Sequence, residues 1–191
     1  MGPRERLVRV ALRLFTRRGY DAVGVQEVVE EAGLTKPTLY HHFRNKAGLL
    51  AELARLVEGR LFDELADAAD TKGYTGDLPH DLECLVARLL HFTAACPDEA
   101  RLLLAAQNGP SASETRRALD GCWSRLSGEI ARFFTAASRD HGNMRGRERE
   151  YTVSLLGVVL AYAVLELDGK LEPDPQRPHE IMRQFSYGIY S

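Results

Sequence analysis

Between positions 36 and 43 the chain places Lys36, Thr38, Tyr40, His41 and His42 on one side of a short segment. Leu39 and Phe43, four apart, fall on the other side. The first group offers a cation, a hydroxyl, a phenol and two imidazoles. That set suits phosphate oxygens, base edges and thymine methyls in a DNA major groove. The two histidines are adjacent, so their rings are expected to diverge around the helix, as a DNA surface would have them and a metal site would not. His80, Cys84 and His91 also fall on one helical face. At 1.5 Å per residue His80 and His91 would stand ~16 Å apart, so the three cannot hold one ion. That face lies opposite a leucine stripe and is read as solvent-facing or pocket-lining. No metal site and no cofactor is assigned. The chain has no G-x-G-x-x-G, Walker loop, H-E-x-x-H or G-x-S-x-G, and no catalytic residue is assigned either.

The elements that must hold positions 36–43 are legible on both sides. Val25, Val28, Val29 and Ala32 recur at i, i+3, i+4 and i+7, one buried helix face. Gly33 follows where a left-handed residue ends a helix. Leu34 can plug the angle between two helices. Thr35 is placed to cap the next helix through its hydroxyl. Pro37 sits in the first turn, where a missing N–H costs nothing. The result is a helix-turn-helix, a spacing that also serves an ordinary αα-corner.

Leu14-Phe15, Gly19-Tyr20-Asp21-Ala22, the run AGLTKPTLYHHF ending at Phe43, then Lys46 and Leu49-Leu50 resemble the N-terminal domain of tetracycline-repressor-like (TetR-family) regulators. The resemblance covers roughly the first fifty residues without a gap. Val23 and Gly24 stand where the family usually has Thr or Ser. Gly24 can cap the second helix only without a side-chain acceptor, a loss of a few tenths of a kcal/mol. Pro37 replaces a frequent Gly. The resemblance implies that Lys36, Pro37, Thr38 and His41 meet base edges. It assigns Tyr40, His42 and Lys46 to phosphates and Thr35 to the cap of the recognition helix.

Charge is distributed accordingly. Over residues 1–50, nine cations stand against five anions, giving +4 and leaving −6 for the remainder of a chain that totals −2. A basic head on an acidic body fits a protein whose head alone meets DNA. Cys84, Cys96 and Cys122 are an odd set without CxxC spacing and fit reduced thiols in the cytoplasm. The N-terminus is a charged amphipathic helix, not an apolar signal segment. The most apolar run, 153–165, falls short of the ~20 residues a membrane span needs, so no membrane segment is expected.

Taken in order, the periodicities predict helices over 3–18, 25–32, 36–43, 46–70, 79–95, 97–107, from Ser111 or Ser113 to 138, 148–167 and 179–190. No strand pattern or repeat appears. Nine helices in an all-α fold is also the count the resemblance implies, with a three-helix DNA-binding domain over 1–46 and a helical ligand-binding and dimerisation domain over 47–191. Asn45 can cap the fourth helix, which is long enough to join the two.

The helix over 148–167 is apolar nearly all round, so one side can cover the core while the other needs a partner. In the family, the last two helices pair with their copies as a four-helix bundle. A homodimer through 148–167 and 179–190 is therefore expected. Its two recognition helices would read a palindromic double-stranded operator. A pocket between the helices of 79–167 has Phe92, Leu103, Trp123, Leu126 and Tyr162 available as lining, and an apolar or aromatic effector follows from that lining. The functional expectation is a ligand-responsive homodimeric transcriptional regulator, a repressor released by a small molecule. The alternative is a small-molecule-binding or enzymatic helical dimer without operator binding.

Overall fold

The computed structural model describes residues 1–66 and 73–187. Among them are nine α-helices, one 3₁₀ turn and no strand. They are α1 (Pro3–Arg18), α2 (Val25–Glu31), α3 (Lys36–Phe43), α4 (Lys46–Ala66), α5 (Leu78–Ala95), α6 (Pro97–Asn108), α7 (Glu114–Ala137), α8 (Glu148–Leu167) and α9 (Arg177–Tyr187). The all-α expectation stands. The predicted extension of α4 to Asp70, the loop residues Thr71 and Lys72, and the end of α9 at 188–190 lie outside the described residues.

The chain divides into two compact units, each discontinuous in sequence. One comprises 1–59 and 98–122, the other 60–97 and 123–191. In the first, α1, α2 and α3 pack on one another and bury Leu7, Ala11, Phe15, Val28, Leu39 and Leu49. Ion pairs Arg13–Glu31 and Arg18–Glu27 join the outer faces of α1 and α2. In the second, α5 packs against α8 and α9. The rings of Phe134, Tyr151 and Phe185, from α7, α8 and α9, meet with centroids 5.6 to 6.5 Å apart.

Local chemistry sets most helix ends. Gly33 has φ +62°, and the Leu34 N–H donates to the Val29 carbonyl at 2.8 Å, closing α2 with the left-handed turn its sequence called for. Asn45 caps α4 by accepting from the Gly48 N–H at 2.7 Å. Ser113, not Ser111, caps α7 through the Arg116 N–H at 3.2 Å. Asp77 caps α5, which starts one residue earlier than its proline suggested. α9 likewise starts two residues early, with Pro178 inside its first turn.

α8 is 20 residues long and, by length and composition, apolar enough to cross a membrane, with mean hydropathy 1.5. This differs from the expectation drawn from the 13-residue run 153–165, because the helix extends beyond that run at both ends. Leu155, Val159 and Ala163 are buried on one side, whereas Val153 is 62% exposed and Val164 and Leu165 about 40%.

Candidate nucleic-acid interface

α3 is held by its apolar seam. Leu39 is fully buried and Phe43 nearly so, which fixes the rotation of the helix about its axis. The opposite face is open: Thr35, Lys36, Pro37, Tyr40, His41 and His42 are exposed, and Thr38 and Lys46 are half-buried. The eight expected contact residues thus lie on or beside one helix, with seven in the unbroken stretch from Thr35 to His42.

Three details depart from the sequence reading. Thr35 has the extended backbone of a cap, yet its hydroxyl contacts the Thr38 hydroxyl at 3.0 Å instead of a backbone N–H. The i, i+3 spacing brings two hydroxyls together, and one donates to the other. The His41 and His42 rings do not diverge: they meet edge to face at 5.1 Å. Lys46 leans inward, its ammonium 4.0 Å from the centre of the Tyr20 ring and 5.9 Å from that of Phe15. A cation over an aromatic face is held electrostatically, which orders the Lys46 stem.

Two further residues shape this region without having been singled out. Arg44 ends α3 with φ +63°, the one non-glycine positive φ among the described residues. It turns the chain sharply into α4. A Cβ at Gly48 would lie 2.0 Å from the Phe43 carbonyl oxygen, so α4 can approach the end of α3 only because position 48 is glycine. A glycine inside a helix costs about 1 kcal/mol relative to alanine, and that penalty was the available signal.

The basic charge of the head is partly spent internally. Arg4 pairs with Glu52 at 2.5 Å and lies 5.7 Å over the Phe43 ring. With Arg13 and Arg18 also paired, Lys36 and Arg44 stand beside the open face of α3 with no ion-pair partner among the described residues.

Elsewhere, the histidine–cysteine face supplies two close groups and not three. Cys84 Sγ is 3.7 Å from His80 Nε2, while His91 turns to Glu64 at 2.9 Å. No cluster of three metal-ligating side chains occurs among the described residues. Of the expected effector-lining residues, Phe92, Leu103 and Leu126 are buried. Trp123 and Tyr162 are half-buried, and Tyr162 faces the Arg177 guanidinium at 5.5 Å.

The second helix of a helix-turn-helix presents an open polar face here, the arrangement by which proteins of the regulator class meet DNA. Residues 7–53 match the family model described as bacterial regulatory proteins, tetR family. The chain is 34% identical to the transcriptional regulator AcuR of Cereibacter sphaeroides over 114 residues, spanning about half of each protein (51% and 52%). It is 29% identical to the transcriptional activator FasR of Mycolicibacterium smegmatis over 97% of this chain and 81% of that one. Among solved structures, AibR in complex with isovaleryl coenzyme A and operator DNA superposes with a TM-score of 0.70 at 22% identity, covering 95% of both chains. Residues 7–53 thus carry the tetR-family regulatory domain, and the chain as a whole shares the fold of solved TetR-family regulators.

Proposed function

We propose that this protein is a homodimeric, ligand-responsive transcriptional repressor that works in the cytoplasm. It would read a palindromic operator through α3 and leave it when a small molecule binds. The observation that carries this reading is the pairing of a buried Leu39–Phe43 seam with an open face of Lys36, Thr38, Tyr40 and the two histidines. Lys36, Pro37, Thr38 and His41 are the proposed base-edge residues. Tyr40, His42 and Lys46 are proposed for phosphates, and the N-terminus of α3 at Thr35 favours a further phosphate. Residues 1–46 act as the DNA-binding domain and 47–191 as the ligand-binding and dimerisation domain.

The dimer is proposed through α8 and α9. Val153, Val164 and Leu165 are exposed on α8, and the neighbouring Gly157 and Ala161 would let a partner backbone come close. A two-fold axis would set two recognition helices a helical turn of DNA, or a multiple, apart.

The proposed effector is an apolar or aromatic compound bound near Phe92, Leu103, Trp123, Leu126 and Tyr162. The isovaleryl coenzyme A held by AibR makes an acyl thioester a concrete first candidate. Control requires that the effector favour a dimer conformation that no longer matches the operator. Activation instead of repression is the second reading, because FasR, a relative aligned over most of both chains, is an activator.

The test is selection from a random DNA library on the purified protein, with its mass in solution measured alongside. An enriched palindrome bound by a dimer supports the regulator. A well-folded dimer that enriches nothing at low salt would overturn operator binding.

A further inference from the structure

Glu166, in the last turn of α8, has a side chain only 7% exposed, yet its carboxylate accepts no hydrogen bond among the described residues. It is ion-paired to Arg177, whose Nε stands 3.9 Å away, too far for a hydrogen bond. That Nε is itself buried without a partner, and the guanidinium donates elsewhere, to Glu180 at 3.0 Å. The Glu166 oxygens are not fully enclosed, so their open acceptor sites stay within reach of a solute. Burial holds the Glu166 carboxyl above the usual carboxylate range, against the pull of Arg177, and Asp174 adds to the upward push.

Glu166 opens onto a cavity of about 550 Å³. Its apolar walls come from Ala87, Leu90 and Ala94 of α5 and from Pro173, Pro175 and Pro178. A second cavity of about 220 Å³ adjoins it, sharing Ala94, Glu166 and Pro173. The combined space lies in the range of small-molecule sites. Proline walls have fixed φ and little freedom to lose when a ligand arrives.

Charge selects the occupant. Asp174 is the second carboxylate on the wall. The basic side chains that also line it, Arg88 and His91, are turned to Glu64 at 3.3 and 2.9 Å. Around the cavity, Glu64, Glu166, Asp174 and Glu180 therefore face Arg88 and His91, both engaged by Glu64, and Arg177, shared by Glu166 and Glu180. An anion would meet Glu166 and Asp174, offset only in part by Arg177, which Glu180 shares. A metal ion would need a third ligating group, and no such cluster is present among the described residues. An organic cation would supply both the missing charge and the missing N–H donors, while its apolar body covers the alanine and proline walls.

We propose that the cavity bounded by α5, the end of α8 and residues 173–178 binds a small organic cation, an ammonium or amidinium on an apolar body, with Glu166 as its ion-pair partner. The site lies within one compact unit of the chain, and its occupancy does not depend on operator binding, so the two readings fail separately.

The test is calorimetric titration of the full chain with benzamidine, with benzamide as the neutral molecule of the same shape. Two variants accompany it. Glu166→Gln keeps the side-chain shape and removes the charge. Ala94→Phe, at an exposed position on the cavity wall, fills the space and keeps the charge. The expected result is binding of benzamidine without binding of benzamide, a loss of at least about tenfold in affinity with Glu166→Gln, and abolition with Ala94→Phe. Equal binding of the two probes, no binding of benzamidine, or variants of native circular dichroism that bind it as tightly as the parent would each overturn the site. Should Glu166→Gln not fold, the comparison of the two probes on the parent protein decides.

Discussion

The Tyr20 hydroxyl donates to the Glu114 carboxylate at 2.6 Å, joining residues ninety-four positions apart within one compact unit. The same ring carries the Lys46 ammonium on its face. One tyrosine therefore ties the α1–α2 connection to the first turn of α7 and to the start of α4. Tyr20→Phe keeps the ring, and with it the lysine contact, while removing the hydrogen bond. Because Glu114 is exposed, the expected loss is about 1 kcal/mol. Denaturant titration reads it, and Tyr20→Leu should cost more because it removes both contacts. Equal effects of the two variants would mean that the lysine contact contributes nothing.

That hydrogen bond also predicts alkaline behaviour. Burial first, and Glu114 second, hold the Tyr20 hydroxyl well above the usual tyrosine range. The folded state therefore keeps a proton that the unfolded chain gives up near pH 10. The stabilisation is complete below that pH and is lost as pH rises further. Stability measured from pH 8 to 11 should fall less steeply in Tyr20→Phe than in the parent. Parallel curves would remove Tyr20 from the alkaline transition.

Gly48→Ala should destabilise the head although alanine is the better helix former. The added methyl would meet the Phe43 carbonyl oxygen at 2.0 Å, and backbone cannot yield as a flexible side chain does. Overpacking of this kind costs about 1–3 kcal/mol. Gly59→Ala is the control: it lies in the same helix, is exposed, and its Cβ would meet nothing within 4 Å. It should stabilise by about 0.5–1 kcal/mol. Thermal melts of the two variants should move in opposite directions, and a shared direction would refute the close approach at Phe43.

These contacts mark where sequence reading stopped. The bounds of α1 and α8 were legible because local signals fix them: Gly19 and Pro3 for the first, and for the second an apolar run between charged ends. The α2–α3 turn was legible because Gly33 needs a positive φ and Leu34 follows it. Pairings between distant residues leave no such mark. Nothing near Tyr20 in the sequence points to Glu114, and nothing near Glu166 points to three prolines and α5. The Thr35 cap was misread for a different reason. A threonine three residues on offered its hydroxyl a competing partner, and local side-chain bonds of that kind compete with backbone capping. For the exposure of the polar face of α3, the Leu39–Phe43 seam sufficed, because burying that seam exposes the rest.

Lys46→Ala tests whether one lysine serves both fold and DNA. If Lys46 holds a phosphate, the variant should weaken binding to all sequences alike and reduce the salt slope by ~1 per half-site. Because its ammonium also sits on the Tyr20 ring, stability should fall by about 0.5–1 kcal/mol at the same time. Lower stability with an unchanged slope would make it scaffold alone. Thr38 and His41 variants should instead change base preference at single operator positions, and a uniform loss would remove them from base contact.

The exposed side of α8 yields the last prediction. Val153 is 62% exposed and sits on the same helix as the exposed Val164 and Leu165, opposite the buried Leu155, Val159 and Ala163. Three large apolar side chains in water on one helix are unusual unless a partner covers them. A charge placed there has to be buried on dimerisation, and an unpaired buried charge costs several kcal/mol. Val153→Glu should therefore give a folded monomer by sedimentation, with the circular dichroism of the parent because the side chain touches no core. Operator affinity should fall with it, since two half-sites held by one dimer bind far more tightly than one. A variant that stays dimeric would move the interface away from this face of α8. A variant that becomes monomeric yet binds the operator unchanged would instead break the link between dimer and palindrome.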